Sequence, residues 1–139
     1  MQVDIPHAVS IYERLVARGN VSAMKNLAAI LYEGKGVEKD VNRAFDLYAQ
    51  AAHQGDAGAL TSLAGMYMDG AAVKQDYRKA YDLYMRAATK GNPYAQSAIG
   101  AMYVFGWGVD ISKSEAFGWF SLAIGNGDIL TFSPVLSLT

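Results

Sequence analysis

The chain has 139 residues, and its 12 Lys and Arg nearly balance its 13 Asp and Glu, which leaves a formal charge of -1. This length suits a single domain with its own core, and the near-neutral charge provides no electrostatic attraction to nucleic acid or to an anionic membrane. With no cysteine and only His7 and His53, the sequence predicts no disulfide, no thiolate nucleophile, and no cofactor or metal site.

The N-terminal residues MQVDIPHAVS lack the basic and then apolar layout of a signal peptide. Nowhere does an uninterrupted apolar run of about 18 residues suggest a membrane span. We therefore expect a cytoplasmic protein for the chain as given, and a periplasmic one if a leader has been removed.

A 36-residue period organises the chain from its first predicted helix, which runs from about Asp4 to Arg18. Four sets of residues recur at this step: Gly19, Gly55, Gly91 and Gly127; Tyr12, Tyr48, Tyr84 and Phe120; Ala8, Ala44, Ala80 and Ala116; and Asp4, Asp40, Asp76 and Ser112. Agreement of four sets at one period indicates an architecture of stacked repeats.

Each repeat is predicted to contain two helices, because apolar residues recur at steps of three and four. The first helices carry Ala23, Leu27, Ala28 and Leu31, then Ala59, Leu63, Ala64 and Tyr67, then Ala95, Ile99, Gly100 and Tyr103. The second helices carry Ala44, Leu47, Tyr48 and Ala51, then Ala80, Leu83, Tyr84 and Ala87. The small residues at Ala28, Ala64 and Gly100 should let a neighbouring helix approach closely.

The segment LYEGKGVEKD between the first two of these helices resembles a glycine loop that could hold a phosphate. It aligns with YMDGAAVKQD and YVFGWGVDIS one and two periods later, and no strand or Lys-Ser pair accompanies it. We interpret it as a repeated turn in which Gly34, Gly70 and Gly106 end one helix. Asp40, Asp76 and Ser112, which close the three segments, are then predicted N-caps of the next helix.

Together these motifs, Ala-x3-Leu-(Gly/Ala)-x2-Tyr, Gly-x-Gly-Val and Asp-x3-Ala-x3-Tyr-x2-Ala-Ala-x2-Gly, resemble the Sel1-like repeat, a relative of the tetratricopeptide repeat. The resemblance implies an all-α fold, a short right-handed α-solenoid of antiparallel helix pairs with about three and a half repeats. The predicted boundaries are a half repeat at 1–22, repeats at 23–58, 59–94 and 95–130, and a tail at 131–139 outside the repeat register.

The resemblance also implies a non-catalytic adaptor or scaffold that binds a partner protein or peptide on a concave face. An alternative is a bacterial immunity protein that neutralises a toxin, and a remote one is an enzyme that binds or hydrolyses β-lactams. Carboxylates such as Glu33 and Asp69, or Asp46 and Asp82, repeat at the period of the architecture. They are therefore interpreted as solvated positions, and the protein is predicted not to be an enzyme.

The partner-binding surface is predicted on the first helices, which line the concave face in related repeats. If Leu27 and Leu31 face the core, the opposite stripe of that helix is formed by residues spaced four and three apart. The stripe and its copies are Lys25, Ala29 and Tyr32, then Thr61, Gly65 and Met68, then Ser97, Ala101 and Val104. Glu33, Asp69 and Phe105 follow at its edge, and Trp107 is a predicted anchor at a turn tip.

Both ends of the chain depart from the repeat. The first helix has no preceding partner to cover Ile5, Val9 and Tyr12, which predicts possible self-association there. At the other end, residues 131–139 carry no charge and are expected to fold back as an apolar cap. Deleting Thr131 to Thr139 should then lower stability or solubility.

Overall fold

A computed structural model describes residues 4–126, and within that range the chain forms seven helices and no strand. The helices are α1 (Ile5–Ala17), α2 (Val21–Glu33), α3 (Val41–His53), α4 (Ala57–Asp69), α5 (Tyr77–Thr89), α6 (Pro93–Phe105) and α7 (Lys113–Gly125). Each helix packs against its neighbours in the chain. The fold is thus an all-α solenoid, as predicted, and the predicted tail at 131–139 lies outside the described residues.

Side chains cap the helices where the repeat predicts them. The Asp40, Asp76 and Ser112 side chains each accept a hydrogen bond from the backbone N–H three residues further on, at 2.9, 3.0 and 3.2 Å. These bonds satisfy amides that have no partner within the helix. The first helices of the repeats begin in the same way at Asn20, Asp56 and Asn92, which the sequence reasoning did not identify.

The glycine segment LYEGKGVEKD is a turn, as predicted. Gly34 adopts the left-handed conformation (φ 69°), and its N–H donates to the Ile30 carbonyl. Asp40 then closes the turn by donating its N–H to the Leu31 carbonyl at 2.9 Å. The two later copies repeat this closure, from Asp76 to Tyr67 and from Ser112 to Tyr103.

The core consists of small residues at helix crossings with larger side chains beside them. Ala44, Ala80 and Ala116 are buried at equivalent positions of α3, α5 and α7. One of the small positions expected to allow close approach is Gly100, where an added Cβ would lie 2.9 Å from the Phe120 ring. At Gly100 the absence of a side chain is therefore required by packing.

Helix α1 lies at the N-terminal end of this stack. Its Val9 and Tyr12 side chains are half-buried and pack against the main core. An ion pair between Glu13 and Arg43, at 2.9 Å, also joins α1 to α3. Across residues 4–126 no helix is both long enough and apolar enough to cross a membrane.

Candidate functional site

A cleft of about 360 Å³ opens beside α4, in the middle of the predicted stripe. Residues of α2, α3, α4 and the first turn of α6 surround it, so four helices position one site. Its lining consists of Tyr32, Tyr48, Thr61, Ser62, Gly65, Met66, Asp69 and Tyr94. Four of these, Tyr32, Thr61, Gly65 and Asp69, belong to the predicted set.

Gly65 keeps the floor of the cleft open. A Cβ at this position would lie 3.8 Å from the Tyr84 hydroxyl oxygen and would meet no other heavy atom that close. Tyr84 itself is only 5% exposed. Its ring lies 6.5 Å from that of Tyr94, which stands at the mouth and is 63% exposed.

Two tyrosines at the cleft, Tyr48 in its lining and Tyr84 close to Gly65, have a raised pKa. Burial is the main cause that raises the pKa of Tyr48. A hydrogen bond with Ser62 lowers this pKa, whereas the Glu33 charge and Tyr32 raise it further. Burial also raises the pKa of Tyr84, and Tyr94 and the Asp69 charge raise it further. Both hydroxyls are therefore neutral at physiological pH, and each interacts electrostatically with a nearby carboxylate.

Cationic groups of the chain lie near the cleft, but they do not neutralise it. Lys25, a predicted stripe residue, forms an ion pair with Asp56 at 3.1 Å. The Lys39 ammonium lies 6.0 Å from the centre of the Tyr32 ring. Neither Glu33 nor Asp69 forms an ion pair or a hydrogen bond with another side chain within residues 4–126.

The rest of the predicted stripe is less open than expected. Ala29 is exposed, but Met68 is half-buried and packs against the main core. Ala101 and Val104 pack against Ala116 and Phe120 of the next helix. Ser97 is 4% exposed. The expectation that all nine positions pave one groove is therefore wrong at the third repeat, because α7 covers that part of α6.

Trp107 does not project freely from its turn. Its ring stacks on Phe105 at 4.7 Å and lies 6.0 Å from Tyr77, and the side chain is half-buried. Phe105, at 58% exposure, is the open member of this group. Phe105 and Trp107 thus form a stacked aromatic pair outside the residues that line the cleft.

Sequence reasoning missed Tyr48, Ser62, Met66 and Tyr94 as parts of the site. It treated the second helices as core, and Tyr48 lies on one of them. A signal for Tyr94 was present, because its equivalents in the earlier repeats are the small residues Ser22 and Gly58. A large aromatic residue that breaks the repeat and stays exposed is a common mark of a binding position.

No group of three or more His, Cys, Asp or Glu side chains suited to a metal ion occurs in the part of the chain that the structure describes. The sequence does contain one Ser-x-x-Lys spacing, Ser22 to Lys25, a pattern known from β-lactam-acylating enzymes. Here Ser22 is exposed, and the Lys25 ammonium pairs with Asp56 instead of the serine hydroxyl. This pair is not arranged as a nucleophile and its base.

Comparison with protein families gives three consecutive matches to the Sel1 repeat, at residues 21–56, 57–92 and 93–128. The matches begin at the first residues of α2, α4 and α6. They confirm the resemblance drawn from the sequence motifs. A search of curated proteins gives no match.

Solved structures share the same architecture. The structure of c5321, a protective antigen of uropathogenic Escherichia coli strains with an SLR fold, is 36% identical with a TM-score of 0.84, over 86% of this chain and 26% of that protein. A Sel1 repeat protein from Oxalobacter formigenes is 28% identical with a TM-score of 0.86, over 91% and 52%. This chain thus spans about a quarter and about half of the two proteins.

Cysteine-rich protein B of Helicobacter pylori also matches, at 21% identity and a TM-score of 0.72, over 92% of both chains. At this identity the similarity concerns the fold alone.

Proposed function

Because the chain belongs to the Sel1 repeat family, whose members typically act in protein–protein interactions, we propose that it is a non-catalytic adaptor. It binds a partner protein or peptide on the face formed by α2, α4 and the start of α6. The observation that carries this proposal is the tyrosine-lined cleft beside Gly65. The family resemblance predicts that these first helices line the concave side.

The dimensions of the cleft favour a side chain of a larger partner. Its volume of about 360 Å³ lies near the lower end of the range for pockets that enclose a drug-sized ligand, which is roughly 300–1,000 Å³. Tyrosine is enriched among the residues that dominate binding energy at protein interfaces. Tyr94 and Tyr32 provide such contacts at the mouth and the side of the cleft.

The roles within the predicted set change accordingly. Tyr32 and Tyr94 are the central contacts because both line the cleft, whereas the stripe residue Met68 does not. Phe105, with Trp107 beneath it, is a second contact at the rim. Truncating Tyr32 should reduce folding stability as well as binding, since Tyr32 also packs against the core.

The test first requires a partner, obtained by placing a photo-crosslinking amino acid at position 94 in the living cell. Binding of that purified partner is then measured by calorimetry for Tyr94→Ala, with Phe117→Ala as the matched control. Phe117 is an exposed aromatic residue on α7 outside the cleft lining. We expect Tyr94→Ala to weaken binding by about 1–3 kcal/mol, as for interface anchors, and the control to bind like the parent.

Tyr94 is mostly solvent-exposed, so its truncation should leave helicity and melting temperature nearly unchanged. Weakening by Phe117→Ala with none by Tyr94→Ala would place the interaction on another face and contradict the proposal.

A further inference from the structure

The ends of α2 and α4 at the cleft carry unneutralised negative charge. Glu33 and Asp69 are the last residues of these two helices, and neither helix has a basic residue in its last turn. The helix dipole adds partial negative charge at a C-terminus and disfavours a carboxylate there. Two carboxylates therefore stand where the dipole opposes them, and no residue of the range 4–126 pairs with them.

Three other carboxylates of the described residues form ion pairs. Asp56 lies 3.1 Å from Lys25, Glu13 lies 2.9 Å from Arg43, and Asp82 lies 3.6 Å from Arg78. Asp69 differs from these three because it lines a cleft and has no cationic neighbour in contact. A positive group that enters the cleft would meet a carboxylate free to pair with it.

Tyrosine rings of this protein already accommodate cations elsewhere. The Arg78 guanidinium lies 5.2 Å from the Tyr81 ring centre, and the Lys79 ammonium lies 5.5 Å from that of Tyr67. Within the described residues, the cleft rings of Tyr48 and Tyr94 have no such cation. Cation–π attraction is strongest when the site is partly desolvated, as it is inside a cleft.

From this charge complementarity we infer that the cleft accepts a cationic side chain of the partner, arginine by preference, which pairs with Asp69 and rests against the tyrosine rings. This inference rests on the proposed function and adds the chemistry of the occupant. Arginine fits better than lysine because its planar guanidinium stacks on aromatic rings and donates several hydrogen bonds at once. The hydroxyl oxygens of Tyr48 and Tyr94 offer further acceptors.

The effect of the carboxylates on the tyrosines supports the placement. Besides burial, the Glu33 charge raises the pKa of Tyr48, and the Asp69 charge raises that of Tyr84 beneath Gly65. Both carboxylates are thus close enough to act electrostatically on tyrosines at the cleft. Lys39, 6.0 Å from the Tyr32 ring, is a nearby cation that could compete for this space.

The experiment titrates the isotope-labelled protein with acetyl-Gly-Arg-Gly-amide and follows backbone resonances by NMR. The matched probe is the same peptide with citrulline, which keeps the shape of arginine and removes its charge. We expect saturable shifts at Gly65, Met66 and Asp69, and binding of the citrulline peptide weaker by roughly tenfold, within the range of one cation–π contact and one ion pair.

Asp69→Asn should weaken the arginine peptide several-fold, and Lys39→Ala should leave it unchanged or strengthen it. The matched control is Asp46→Asn, which removes an exposed carboxylate of α3 outside the cleft lining and should have no effect. Equal affinity for the citrulline peptide, binding by Asp69→Asn like the parent, or shifts confined to other faces would each overturn the inference.

The cationic occupant and the proposed function can be rejected independently of each other. A partner that loses affinity with Tyr94→Ala but is insensitive to Asp69→Asn would preserve the interaction face and reject the cationic occupant. Conversely, a partner indifferent to Tyr94→Ala would reject the interaction face, whatever the arginine peptide does.

Discussion

The second and third repeats have the same helices and turns but different surfaces. Thr61, Gly65 and Asp69 of α4 line the cleft, whereas their equivalents in α6, 36 residues later, are Ser97, Ala101 and Phe105. Ser97 is buried, Ala101 packs against Phe120, and Phe105 is exposed. Two of these positions thus line an open cleft in one repeat and are covered in the next, and the third changes from a carboxylate to an exposed aromatic ring.

This difference shows that the repeated helices and turns, here called the frame, and the cleft are specified by different residues. Capping and turn closure are nearly identical in the two repeats, with hydrogen bonds of 2.9 and 3.0 Å closing the turns at Asp76 and Ser112. The cleft depends instead on residue size at a few positions that the frame tolerates. In repeat proteins stability is shared between neighbouring units, so one unit can carry an open site while the next is tightly packed.

The largest expected effect comes from adding one methyl group where α6 packs closely against α7 in the third repeat. In Gly100→Ala the new Cβ would lie 2.9 Å from the ring of Phe120, which is 2% exposed and cannot move into solvent. We expect the free energy of unfolding to fall by about 1–3 kcal/mol, as for other overpacked cores. Urea unfolding followed by circular dichroism measures it.

The matched control is Gly118→Ala, because a Cβ at this helical glycine of α7 meets nothing within 4 Å. It should raise stability by about 0.5–1 kcal/mol through helix propensity. Smaller damage from Gly100→Ala in a Phe120→Leu background would identify the ring as the cause. If Gly100→Ala and Gly118→Ala have equal effects, the third repeat is not packed as described.

The turns provide a second difference between the repeats. Ala72 of the second repeat has φ 65° and is the single non-glycine residue with positive φ among those described, whereas its equivalent in the third repeat, Gly108, has φ 77°. A left-handed alanine is strained. We expect Ala72→Gly to raise the unfolding free energy by about 0.5–1 kcal/mol, the strain relieved being partly offset by glycine entropy. Thermal unfolding measures it, and a lower melting temperature would contradict it.

Periodicity predicted this frame because the frame is what repeats. The 36-residue step identified the caps at Asp40, Asp76 and Ser112 and the end of α1. It could not predict the cleft, because the cleft forms where the repeats differ and where four helices meet. Tyr94 and Tyr48 reach the site from α6 and α3, so their roles depend on packing between repeats.

A smaller effect on stability is expected for Gly65→Ala at the floor of the cleft. This substitution should stabilise the fold and weaken partner binding. Gly65→Ala places its Cβ at ordinary contact distance, 3.8 Å, from the Tyr84 hydroxyl. It should raise stability by about 0.5–1 kcal/mol, as glycine is unfavourable within a helix, and weaken partner binding by narrowing the cleft. Gly118→Ala again serves as the control, because it should stabilise the fold without weakening partner binding. A Gly65→Ala protein that is stabilised and binds the partner like the parent would show that the partner does not contact the floor of the cleft.

The smallest effect at neutral pH, and one visible only in alkali, concerns Tyr84 against its third-repeat equivalent Phe120. Burial, Tyr94 and the Asp69 charge raise the pKa of Tyr84 above its ordinary value of 10.0, so the folded state holds this proton more tightly than the unfolded state does. The stability that this difference contributes is fully present below the unfolded pKa of about 10 and is lost as pH rises through the higher folded pKa. Tyr84→Phe removes the titrating group, as Phe120 does naturally in the third repeat, and should lose less stability than the parent above about pH 10.

Tyr81 also titrates in alkali, because burial and the Tyr103 hydroxyl raise its pKa to about 12. It contributes to the alkaline loss of stability in both proteins and cancels in the comparison. Urea midpoints measured across this range test the difference, and parallel curves for the two proteins would mean that Tyr84 ionises as readily in the folded cleft as in water.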